Sequence, residues 1–192
     1  MDTNSTGAHV AALYRYPVKG FTPESPEALT IRADGRVEGD RALAFLLGDA
    51  PEAPEQAAGA DWWPKTQMLA LVNTPALARL DLRYDAAAQR IAIRTDGALL
   101  VEDGLDEAGR VRLAEAVGAW ALEQAFNPDL RRAGRLPLRL IGDGTTARYQ
   151  DNYTGNVTMH GRASLASLAA ALGDETLDER RFRSNIVLDG VE

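Results

Sequence analysis

Asp-Gly pairs divide this chain into short pieces. Asp34-Gly35, Asp96-Gly97 and Asp189-Gly190 each stand beside an apolar run only a few residues long. Asp-Gly suits the tightest hairpin turns, because the glycine takes the positive φ that the turn requires. The intervening runs at residues 10–16, 28–32, 39–47, 77–84, 90–94 and 98–101 are short and rich in branched or aromatic residues, which predicts strands. Many short strands separated by turns imply a small antiparallel barrel or sandwich over about residues 8–104.

The pattern changes after residue 105. Val111, Ala114, Val117 and Ala121, with Leu113 and Trp120 beside them, recur at helical spacing and predict one amphipathic helix over 106–124. Asp106 and Glu107 suit the positive end of its dipole. A basic connector, Arg131 to Arg135, precedes a strand at 136–141, and another strand is predicted at 157–160. Leu165, Leu168, Ala169 and Leu172 mark a second helix, with Ser164 at its expected N-cap and Gly173 as its stop. Residues 48–61, rich in Ala, Pro, Gly and acids, read as a surface loop, and Trp62-Trp63 as a core plug. The expected class is α+β, mostly β, with one domain over 8–125 and a second from 135 to 192.

Composition excludes several functions. With no cysteine among its 192 residues, the sequence offers no disulfide, no Cys-ligated zinc or iron–sulfur cluster, and no thiol nucleophile. Its two histidines, His9 and His160, are too few for a His-rich metal cage. A net charge of −7 argues against bulk nucleic-acid binding. No apolar run approaches membrane-span length and the first residues lack the marks of a secretion signal, so the expectation is a cytoplasmic protein without membrane insertion.

Against that acidic background, the basic stretch Arg180-Arg181-Phe182-Arg183-Ser184-Asn185 stands out. It runs into the apolar strand Ile186-Val187-Leu188. A pleated backbone would aim Arg181, Arg183 and Asn185 at one face. Guanidinium forks beside a carboxamide suit a phosphate or a heterocycle with mixed donors and acceptors. From spacing alone, a solvated charged strand mouth paired with Asp178 and Glu179 is the stronger reading. Lys19, in the stiff Pro17–Gly20 loop, and Arg41, at the mouth of the third strand, carry the same pair of readings. Ser164 either caps its helix or offers an anion the helix N-terminus, and the two roles are compatible.

Four motifs in order bear a resemblance. Tyr16-Pro17-Val18-Lys19, Gly39-Asp40-Arg41, Ala163-Ser164-Leu165 and Arg181-Phe182-Arg183-Ser184-Asn185-Ile186-Val187 together resemble the MOSC family, from about residue 8 to the last residue. That family pairs an N-terminal β-barrel domain with the domain shared by molybdenum-cofactor sulfurases, and includes the mitochondrial amidoxime-reducing component. The resemblance implies a pocket between two β-rich domains that holds a molybdopterin-type molybdenum cofactor. Lys19, Arg41, Ser164, Arg183 and Asn185 would be its binding residues. It further implies an oxidoreductase acting on small N-hydroxylated compounds, fed by a separate electron-transfer protein. The family's broad description also covers pyridoxal phosphate binding, which attaches to no residue here.

Two departures bear on that expectation. Gly20 follows Lys19 where the family usually has serine, and Ser184 stands where proline is common. The family's molybdenum-ligating cysteine would lie downstream of these residues, so the resemblance reads the chain as a piece of a longer protein. A binding module for the cofactor or a sulfur carrier, without redox chemistry, and a pure interaction domain are the alternatives.

Overall fold

The computed structural model describes residues 7–52, 63–124, 129–152, 154 and 157–191. Among these, eight strands form three sheets, accompanied by two α-helices, so the class is mixed α+β with strands in the majority. The strands are β1 (His9–Leu13), β2 (Leu43–Leu46), β3 (Leu80–Asp85), β4 (Arg90–Thr95), β5 (Ala98–Gly104), β6 (Arg139–Gly142), β7 (Met159–Gly161) and β8 (Ile186–Asp189). The helices are α1 (Glu107–Glu123) and α2 (Arg162–Leu172).

The antiparallel meander β3-β4-β5 follows from strict alternation. Leu80, Leu82 and Tyr84 point inward while Asp81, Arg83 and Asp85 face water, and Ile91 and Ile93 oppose them from β4. Asp96 and Gly97 both take positive φ, the geometry of the tight turn joining β4 to β5. Helix α1 packs on this sheet. Asp106 caps it by accepting the Gly109 N–H at 2.9 Å, and its buried stripe is Leu113, Ala114, Val117, Trp120 and Ala121. Val111, expected on that stripe, is 52% exposed, because the stripe centres on Leu113 and Val117 instead.

Strand β2 lies between two cores. Leu43 and Phe45 enter the large core with Leu82, Ile93, Val117 and Leu140, while Ala44 and Leu46 pack with Trp63, Met68 and Tyr149. Trp63 is thus the expected core plug, and Trp62 lies outside the described residues, as does most of the 48–61 loop. Strand β2 pairs antiparallel with β6, and β1 pairs antiparallel with β8. Both pairings join segments on either side of the boundary expected near 125–135.

Three local expectations differ. Residues 30–32 and 36–38 hydrogen-bond across the Asp34-Gly35 turn, but only as an isolated bridge between Ile31 and Val37. The segment leading into β3 begins as a 3-10 turn, Pro75–Arg79, because Pro75 presets the first helical φ. Helix α2 starts two residues before Ser164, with Gly161 as its N-cap, and ends at Gly173 in the left-handed conformation as expected.

Candidate functional site

Three separate segments converge on one basic pocket. The first is the 17–20 loop, stitched to β2 by Lys19 N–H to Leu43 O at 2.9 Å and Leu43 N–H to Pro17 O at 3.0 Å. This fixes Lys19 at the strand edge with only 5% of its side chain exposed. Gly20 then takes φ +86°, and an added Cβ would stand 3.2 Å from the Ala70 Cα and the Leu69 O. Serine at this position would be strained, which explains the glycine.

Arg41 comes from the turn before β2 and Arg183 from the segment before β8. Both are non-glycine residues at positive φ, 49° and 54°. Such backbone costs energy and persists only where surrounding contacts impose it. Arg41 N–H donates to Tyr16 O at 2.6 Å, and Tyr16 N–H donates to Asp40 Oδ1 at 2.8 Å. The Arg41 guanidinium pairs with Asp40 and donates from Nη2 to Arg183 O at 2.9 Å. Arg183 donates from Nη1 to Phe21 O at 2.7 Å, while its Nη2 is buried without a hydrogen-bond partner. The two guanidiniums stack on the Tyr16 ring, 4.5 and 4.2 Å from its centroid.

Four cationic side chains, Lys19, Arg41, Lys65 and Arg183, line this pocket of about 130 Å³ against one carboxylate, Asp151. Lys19 Nζ donates to Asp151 Oδ1 and to Tyr149 O, each at 2.8 Å. Asp151 is itself 68% exposed, so the buried lysine's counterion lies at the water-facing side. Burial pushes the Lys19 ammonium below its ordinary range, with Asp151 opposing that and Arg41 and Arg183 adding to it. Burial, then the charge of Arg41, lowers Arg183 to about 10. Burial raises the Tyr16 hydroxyl to about 12, against the pull of both arginines. The Asp151 carboxyl is raised by burial, but Lys19 and Arg41 outweigh that and hold it low.

Burial and this crowding of donor-only groups disfavour the charged states of Lys19 and Arg183. An anion would relieve the repulsion and supply the acceptor that Arg183 Nη2 lacks. A second hollow of about 250 Å³, which includes Gln150 and Thr158, shares Arg41 and Asp151 with this pocket.

The remaining expected site residues lie elsewhere. Asn185 is buried and acts as a clamp: its Nδ2 donates to Tyr14 O at 3.1 Å, and its Oδ1 accepts from Thr158. Ser164 sits on the exposed face of α2 and lines none of the cavities named here. Arg181, Arg183 and Asn185 do not share a pleated face. Residues 179–182 form a 3-10 turn capped by Asp178, and Arg183 is left-handed, so the extended backbone begins only near β8. Tyr16 and Asp151 were not anticipated as site residues. Tyr16 sat inside a recognised motif, whereas Asp151 meets Lys19 from 132 positions away and left no local signal.

Among the described residues no group of three or more His, Asp or Glu side chains is placed to hold a metal ion. No helix there is long and apolar enough to cross a membrane. No family model, curated protein or solved structure matches the chain.

Proposed function

We propose that this chain binds a molybdopterin-type molybdenum cofactor through its anionic end and serves a MOSC-type oxidoreductase acting on small N-hydroxylated compounds. The carrying observation is the convergence of Lys19, Arg41 and Arg183 on one pocket around Tyr16. The donor set fits the cofactor's phosphate: a lysine point charge and two guanidinium forks, one with a buried unpaired N–H. Lys19 and Arg183 would hold and orient the phosphate, and Arg41, tied to Asp40, would fix the position of Arg183 through its carbonyl. When bound, the cofactor supplies the redox chemistry, and a separate electron-transfer protein supplies electrons. The finer architecture of this reading is an N-terminal barrel followed by the first part of a MOSC domain, in a cytoplasmic protein.

One observation favours a second reading. The 192 residues contain no cysteine, so no thiolate from them can ligate molybdenum. A module that binds the cofactor without redox work is consistent with that. Elemental analysis for molybdenum and fluorescence of the oxidised pterin, on protein purified from cofactor-producing cells, tests both. Pterin with molybdenum in the wild type and neither in Lys19→Met/Arg183→Met supports the cofactor binding that both readings share. Reduction of an N-hydroxylated probe by that loaded protein supports the oxidoreductase reading, its absence supports the second, and no pterin in either protein refutes both.

A further inference from the structure

Next to the cation pocket lies a larger hollow of about 310 Å³ with a different character. The two share Gly20, Leu71 and Arg183 as a common wall. Half of the remaining lining is apolar: Phe21, Pro23, Pro75 and Ala78. The other half is Thr22, Asp178, Arg180 and Arg181. Phe21 is anchored in the core, its ring 5.3 Å from that of Phe45, and its carbonyl is held by Arg183 at 2.7 Å. Pro75 and Ala78 come from the 3-10 turn before β3. Two prolines preset the backbone of facing walls, so the hollow needs little ordering to accept a ligand.

The rim carries unequal charges. Arg180 is committed to Asp178 through both Nε and Nη2. Arg181 is exposed and has no ion-pair or side-chain hydrogen-bond partner among the described residues. Thr22 Oγ1 accepts the Leu82 N–H at 2.9 Å, which leaves its hydroxyl proton to donate. The rim therefore presents the exposed Arg181 guanidinium, near Asp178, and one hydroxyl above an apolar floor. A multiply charged group is better served next door, where four cations gather.

We infer that this hollow takes the flat apolar body of a singly charged small molecule, an aryl or short-chain carboxylate, with the acid group on Arg181 and the body against Leu71, Pro75 and Ala78. The inference rests on the cofactor reading of the neighbouring pocket, in which this molecule is an N-hydroxylated substrate that also bears the carboxylate, lying against the shared Leu71 and Arg183 wall. One planar guanidinium pairs with one carboxylate through two parallel hydrogen bonds, and stacked apolar contact supplies the remaining affinity.

Titration calorimetry with 2-naphthoate, neutral 2-naphthol and inorganic pyrophosphate tests it. The wild type is expected to bind 2-naphthoate saturably and 2-naphthol at least about tenfold more weakly, the effect of losing one charge-assisted pair. Ala78→Trp, at an exposed position of the 3-10 turn, should fill the hollow and abolish naphthoate binding while pyrophosphate affinity stays unchanged. Arg181→Gln, equally exposed, should weaken naphthoate about tenfold and leave 2-naphthol as it was. Equal naphthoate binding by Ala78→Trp and wild type, or equal loss of both naphthyl probes in Arg181→Gln, overturns the inference. Absence of naphthoate binding to the wild type does the same. Failure of pyrophosphate to bind the wild type instead counts against the cation pocket and leaves the naphthoate comparison to judge the hollow.

Discussion

Arg41 Nη2 donates to the backbone carbonyl of Arg183 at 2.9 Å, so one cation of the pocket positions another. The bond spans 142 positions and joins the turn before β2 to the segment before β8. Both guanidiniums rest on the Tyr16 ring, whose negative face partly offsets their mutual repulsion. The pocket is thus a set of like charges held together by an aromatic platform and by Asp40.

That platform does not need its hydroxyl. Tyr16 Oη is buried with no hydrogen-bond partner, a state that costs about 1–3 kcal/mol. Tyr16→Phe should therefore keep pyrophosphate affinity and match or exceed wild-type stability, by up to about 1 kcal/mol in urea unfolding. A clear loss of stability would mean that the hydroxyl has a partner.

Alkaline pH should separate binding from stability. Burial lowers the Lys19 pKa, so sulfate, whose own charge is constant, should lose affinity as pH rises below lysine's ordinary 10.5. The folded chain then gives up the Lys19 proton before the unfolded chain does. Between the two values the stability contributed by this group rises with pH, because a buried charge is being removed. Calorimetric sulfate titrations across pH check the first trend, and Lys19→Met should lose the part of the step that Lys19 carries while keeping the one near 10 that belongs to Arg183. A pH profile unchanged in that variant assigns the whole titration to Arg183.

Asp151 competes with any incoming anion for Lys19. Asp151→Asn should bind pyrophosphate more tightly than wild type, yet be about 1–2 kcal/mol less stable without it, between the values for exposed and buried pairs. Saturating pyrophosphate should close the gap in melting temperature. Weaker pyrophosphate binding by the variant would show that Asp151 assists the ligand rather than standing in for it.

Asn185 is a clamp between β1, the segment before β7, and β8. Asn185→Ala removes a buried donor from Tyr14 O and a buried acceptor from the Thr158 N–H. It should lower stability by about 1–3 kcal/mol while pyrophosphate affinity of the folded protein changes less than about twofold. A large affinity loss in a stable Asn185→Ala protein would return Asn185 to the ligand site.

What the sequence displayed and what it hid divide along the range of the interactions. The β3–β4–β5 meander and α1 were legible because Leu80, Leu82 and Tyr84, or Leu113 and Val117, announce their faces within a few residues. Lys19 and Arg41 were legible as charged groups in constrained turns, and the structure brings them together with Arg183. The alternation inferred for Arg181, Arg183 and Asn185 failed because Asp178 caps a 3-10 turn there and Arg183 leaves the extended region. Ser164 misled because Ala163 and Arg162 are equally able to begin the helix after Gly161. Nothing local could pair Asp151 with Lys19, or assign Tyr16 as the seat of two cations from separate segments.

The contact between Phe21 and Arg183 closes across 162 positions, and β1 finds its partner only in β8. On a ribosome, Lys19 and Arg41 emerge early and stay without Arg183 until nearly the last described strand has been made. The basic pocket is therefore a late product of folding, completed after the slow closure of a very long loop. Until then the Tyr16 ring lacks one of the two guanidiniums that stack on it. On the proposed reading, only a chain finished through β8 could hold an anion in this pocket.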